Sequence, residues 1–211
     1  MKKFLTITLI LFTMLNLFGQ KKTKIEKKFE KNISKIFPII KVGLSENNNN
    51  NTDLELEGGE QPIFKVIAGD ILCFYGIDKG DNFELLLQNQ LPESIGTEEL
   101  DKYAHDNLLN HIADKTEIHQ TGFGGIGFSC GGNHEAALMT LPEIVDIVRE
   151  KLGESIIFGV PSKDIIVFVN ADNKEDVVGL KNIIELIHKD GERLLSKKLF
   201  TFENGIIKEI E

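Results

Sequence analysis

Residues 155–170 read SIIFGVPSKDIIVFVN. Two continuous apolar runs, SIIFGV and DIIVFV, are joined by the turn formers Pro161, Ser162, Lys163 and Asp164. A link that short has no room for the crossover that a parallel pair needs, so the runs predict an antiparallel hairpin. Neither run alternates apolar with polar, which is the mark of strands covered on both faces and so central in a sheet. This hairpin decides the fold class. Helices lie on either side of it and further strands arrive as hairpins, which predicts an α+β fold with a largely antiparallel sheet and about three packed helices.

Moving outward, Lys174–Asp190 carries Val177, Leu180, Ile184 and Ile187 at helical spacing and stops at Gly191. The segment KLFTFENGIIKEIE (198–211) predicts a hairpin turned at Asn204–Gly205. On the other side, Leu141–Leu152 predicts a helix that stops at Gly153, with Pro142 in its first turn and Thr140 and Glu143 as a capping box. Before it come two or three short strands, read from TEIHQT (116–121), GIGFSC (125–130) and EAALMT (135–140). A helix is predicted over Thr97–Ala113. DILCFYGI (70–77) reads as a buried strand with FELLLQ (83–88) as its hairpin partner. GDILCFYGIDKGDN (69–82) also echoes KDIIVFVNADNKED (163–176), as a duplicated strand-helix unit would.

The N-terminus divides differently. Lys2 and Lys3 precede an apolar run from Phe4 to Phe18 that ends at the small residue Gly19, the layout of a secretory signal peptide over residues 1–19. The run falls short of the ~20 residues a spanning helix needs, and an uncleaved anchor is the competing reading. The expected mature protein is exported, periplasmic or secreted, with no membrane span. Residues 20–61 comprise a basic helix with Ile25, Phe29, Ile33 and Ile36 at helical spacing, ended by Pro38, then the strand IIKVGL (39–44). The Asn-rich stretch SENNNNNTDLELEGGEQ (45–61) follows, expected as a mobile loop. Residues 62–211 form the single α+β domain.

The net charge of −9 leaves no basic cluster beyond roughly the first 35 residues, which argues against nucleic acid as a partner. Cys73 and Cys130 are the two cysteines; export permits a bridge between them, and a buried thiol in the strand ILCFY is the alternative.

GFGGIGFSCGGNH (122–134) poses the sharpest functional question. Gly122, Gly124 and Gly127 satisfy G-x-G-x-x-G, yet no helix opens directly after them to receive a pyrophosphate, so no cofactor is predicted. Cys130 and His134 could form a thiol–imidazole pair, but a nucleophile also needs an orienting group and an oxyanion hole, which the sequence does not place. The bland reading is a thiol beside a turn histidine. The five histidines lack metal-ligand spacing, and no metal is predicted. On the helix at 97–113, Asn107 and His111 fall inside the apolar arc of Leu100, Tyr103, Ala104, Leu108 and Ile112. They are expected to bond to each other and to sheet backbone, or to open toward a ligand. Asn107, His111, Cys130 and His134 are thus the candidate binding residues.

Three stretches in order, ELDKYAHDNLLNHI (99–112), GGNHEAALMTLPEIVDIVREKLGESIIFGVPSKDIIVFV (131–169) and LLSKKLFTFENG (194–205), resemble the YtpQ-like family, a domain of unknown function. The resemblance spans roughly residues 62–205. It rests on an Ala-x-x-Asn-Leu helix, a Gly-Gly-x-x-Glu-Ala-(Ala/Ser)-Leu strand, a Val-Pro-x-x-Asp-Ile turn and a late Leu-Ser…Leu-Phe element. Lys163–Asp164 stands where the family has Arg-Asp, and an export signal departs from its cytoplasmic habit. The resemblance implies a fold and no activity. The reading is an exported non-catalytic module that binds a small ligand or an unknown protein. A hydrolase using Cys130 and His134 is the alternative, and an assembly role for the basic N-terminal helix is a third.

Overall fold

The computed structural model describes residues 22–43 and 60–210. The signal-like segment 1–19 and nearly all of the Asn-rich stretch lie outside the described residues.

Two antiparallel sheets organise the chain. In the smaller, β3 (Ile71–Asp78) is the centre. Along one side of it runs β1 (Ile36–Val42), paired over seven positions. Along the other lie β2 (Phe64–Ala68) and then β4 (Phe83–Leu85), end to end. β1 belongs to the segment 20–61, so that segment supplies a strand to the domain's own sheet. Pro38 sits inside β1 rather than ending a helix. Its lack of an N–H is tolerated because β1 is an edge strand.

The larger sheet has six strands in the order β10, β9, β7, β8, β6, β5. These are Ile206–Ile210, Leu199–Glu203, Ile156–Ser162, Ile165–Asn170, Ile126–Ser129 and Glu117–Gln120 respectively. The predicted hairpin is β7–β8, antiparallel and in the middle of the sheet. β9 and β10 form the C-terminal hairpin, and its turn places Asn204 and Gly205 at φ 52° and 77°, the left-handed pair such a two-residue turn requires.

Four α-helices are present among the described residues: α1 (Lys24–Asn32), α2 (Thr97–Ile112), α3 (Pro142–Leu152) and α4 (Lys174–Asp190). The last three are the helices expected in residues 62–211. α4 lays Leu180 and Ile184 on Val167, Val169 and Leu199, covering one face of the larger sheet. Residues of the other face, including Phe158, Val160, Phe168 and Phe200, join Val148 of α3, Leu108 of α2 and Ile71 and Cys73 of β3 in the main core. A smaller core joins Phe29 of α1 to Ile36, Tyr75, Leu100 and Ala104.

Three local readings are corrected. EAALMT is a 3-10 helix, Glu135–Thr140, not a strand. The consecutive residues Ala136, Ala137, Leu138 and Met139 all enter the main core, and a strand, which sends alternate side chains to opposite faces, could not turn them all into one core. Thr140 does not cap α3: its hydroxyl donates back to the Ala137 carbonyl at 2.7 Å, and Leu141 takes the cap position. The strand FELLLQ is cut to three residues because Leu86 turns into the smaller core. The two echoing segments become β3 and β8, both inner strands, but one leads into β4 and the other directly into α4.

Candidate functional site

The glycine-rich stretch is built for packing. Gly124 adopts φ 91°, and a side chain there would strike the Asp176 carboxylate at the start of α4. A Cβ on Gly125 would lie 2.8 Å from the Phe168 carbonyl of β8. These glycines let the β5–β6 hairpin close onto its neighbours.

The loop that follows does cradle an anion, and the anion is the chain's own. The Glu135 side chain, 1% exposed, accepts from the backbone N–H groups of Cys130 (2.8 Å), Gly132 (2.6 Å) and His134 (3.1 Å). Such a nest of N–H groups is a general anion-binding device, filled here from within. Burial and the charge of Glu135 push the Cys130 thiol up to about 12, so the thiolate that nucleophilic attack requires is suppressed.

His134 is 4% exposed and packs against Phe37, Phe83 and His111, with ring centroids 5.0, 5.6 and 5.1 Å away. Its Nδ1 has no hydrogen-bond partner among the described residues, and burial, followed by the neighbouring His111, pushes its pKa down to about 4. Half-buried His111 has its Nε2 3.2 Å from Lys115 Nζ. Asn107 donates to the Ile33 and Ile36 carbonyls at 2.6 and 2.9 Å, tying α2 to the entry of β1. The structure therefore unites His111 with His134, places Cys130 on the Glu135 loop, and gives Asn107 to backbone.

A second group of residues, not anticipated from the sequence, adjoins a cleft. Lys65 Nζ of β2 lies 2.6 Å from both carboxylate oxygens of Asp101 on α2. The Tyr75 hydroxyl of β3 donates to the same carboxylate at 2.9 Å, and burial, reinforced by Asp101, raises the phenol's pKa. His105, one helical turn on, has its Nε2 3.8 Å from Asp101 Oδ1, beyond hydrogen-bond reach. Burial lowers the pKa of this imidazole. Lys65 and His105 border a cleft of about 390 Å³ whose apolar walls include Ile67, Met139, Val145, Phe202 and Ile207, with Arg149 at its side. That volume is in the range of small-ligand sites. Tyr75 carried a sequence signal, since a tyrosine inside a fully buried strand needs a partner for its hydroxyl. Asp101 and His105 at i, i+4 carried a weak one.

Among the described residues, no group of three or more His, Cys, Asp or Glu side chains is placed to hold a metal ion, and no helix is long and apolar enough to cross a membrane. No family model, no curated protein and no solved structure matches the chain.

Proposed function

We propose that this chain is an exported, non-catalytic binding module, with its site in the cleft between β2, β10, α2 and α3. One observation carries the reading: the cleft sets apolar walls beside Lys65, whose ammonium is held from outside the cleft by Asp101, the carboxylate that Tyr75 also bonds. A fixed network of this kind orients a ligand without offering a nucleophile. The residues first proposed for binding, Asn107, His111, Cys130 and His134, serve in this reading to hold α2, β1 and the Glu135 loop together. The competing hydrolase reading has against it the protonated Cys130 thiol and the apolar surroundings of His134. Membership of the YtpQ-like family is part of the proposal and adds no activity to it. Export rests on the lysine pair and apolar run of residues 1–19.

The test is titration of the chain with an uncharged apolar fluorescent probe, N-phenyl-1-naphthylamine, at a pH where it is fully folded. Saturable binding is expected. Ile206→Arg, which places a charged chain from an exposed position into the cleft mouth, should abolish it at unchanged thermal stability. Binding unaffected by that substitution would remove the cleft as the site. Hydrolysis of a broad ester and amide panel that disappears in Cys130→Ser would favour the enzyme reading.

A further inference from the structure

The shape of the cleft says what kind of ligand fits it, on the reading that it is a binding site. Three consecutive residues of β2, Lys65, Val66 and Ile67, line it. So do Gly205, Ile206 and Ile207 on the opposite side. The alternation of a regular strand is broken in β2, which is irregular between Val66 and Ala68, and Gly205 belongs to the turn before β10, so the cleft is lined by consecutive residues on both sides. β2 and β10 are each the last strand of their sheet on that side among the described residues. The Glu209 side chain lies against Gly69 where the two edges approach, and the cleft occupies the space between them toward Lys65 and Gly205. On such an edge, alternate residues aim unpaired N–H and C=O groups outward, a ready template for another strand. Val66 and Ile206, 61% and 62% exposed, stand ready to be covered.

Charge selects the partner. Around the cleft and the adjoining hollow that shares His105 and Pro142 with it, Lys65 is paired with Asp101, Lys102 with Asp106 and Arg149 with Asp146. Glu98 and Glu143 border the hollow, and no cation is ion-paired with either among the described residues. The whole chain, at −9, adds to the preference for a cationic visitor.

We propose that the cleft receives an extended peptide segment of alternating apolar and basic residues, which adds as a strand to the open edge of β2. Its apolar side chains meet Val66, Ile67 and Ile206. Its basic side chains meet Glu98 and Glu143. Backbone hydrogen bonds supply affinity and the alternate side-chain positions supply selection, as in other strand-addition complexes.

The probe is a labelled short peptide of alternating valine and lysine, followed by fluorescence anisotropy with the full chain. Saturable binding is expected, weakened about tenfold or more when the lysines become glutamates, the scale of one lost charge-assisted contact. Methylating alternate backbone amides of the lysine peptide should abolish binding, and the double variant Glu98→Lys, Glu143→Lys should reverse the charge preference. Amide exchange at 64–68 should slow when peptide is added. Equal binding of all three peptides, or unchanged exchange at β2, overturns the proposal, as does self-association through β2 that excludes peptide. If N-phenyl-1-naphthylamine occupies the cleft and the peptide does not, the binding site stands and the peptide assignment falls. If neither binds, both fall.

Discussion

The rings of His111 and His134 meet edge to face, their centroids 5.1 Å apart, one half-exposed on α2 and the other sealed beneath Phe37 and Phe83. Two imidazoles in contact inside an aromatic pocket cannot both accept protons without repulsion and desolvation. The charged groups facing them are Asp78 and Glu135, which favour protonation, and Lys115, which opposes it.

The first prediction concerns pH. The folded pKa of His134 lies at about 4, below its ordinary value of 6.5. Below that ordinary value the unfolded chain binds a proton that the native chain does not. The stabilisation held by neutral His134 is therefore complete above pH ~6.5 and is lost as pH falls toward ~4, by up to roughly 3 kcal/mol. Denaturant unfolding across that range should show the slope, and His134→Phe, which keeps an aromatic ring in place, should flatten it. An unchanged slope would assign the titration elsewhere.

Asn107→Leu should destabilise the fold by about 1–3 kcal/mol, because it leaves the Ile33 and Ile36 carbonyls without their side-chain donor. The urea midpoint measures it. A midpoint equal to the parent's would mean that water replaces the amide without loss.

Glu135→Ala removes the buried acceptor shared by three loop N–H groups, with an expected loss of about 2 kcal/mol or more. Amide exchange at Cys130, Gly132 and His134 should accelerate selectively. Uniform acceleration across the domain would point to general loosening instead.

Cys73 and Cys130 are both unpaired and buried, at 0% and 1% exposure. Burial pushes the Cys73 thiol up to about 12, as it does with Cys130, where Glu135 adds to it. A thiol reagent at neutral pH should label neither in the folded chain and both after unfolding in denaturant. Rapid labelling of the native protein would contradict the core assignment.

N-terminal sequencing of the mature protein recovered from its source should begin at or near Gln20, as the small residue Gly19 and the charge after it imply. An intact Met1 on soluble protein would remove export from the proposal.

Much of the fold was legible because its signals are local. The β7–β8 hairpin followed from a link too short for a crossover. The C-terminal hairpin followed from Asn204–Gly205, and α4 from its apolar stripe and its stop at Gly191. EAALMT misled because a short apolar run does not distinguish a strand from a buried turn of helix. Its Glu135 decided the matter by reaching back to the N–H groups of the preceding loop. The candidate site was the least legible part. Asn107 and His111 stood out as polar residues on an apolar arc, and that oddity was real, but its explanation lay in the Ile33 and Ile36 carbonyls and in Phe37, far off in the chain.

What the sequence by itself determined are features whose physics acts within a few residues: turn geometry, helix phase, strand burial and the class of fold these add up to. What the tertiary structure decided are meetings between distant segments. It brought Lys65 of β2 and Tyr75 of β3 onto the carboxylate of Asp101 on α2, and it set the edge of β2 near that of β10 to leave a cleft between the sheets. Such meetings depend on how two sheets pack over a shared core. That packing is the sum of many weak contacts, none of them encoded in the spacing of any single stretch.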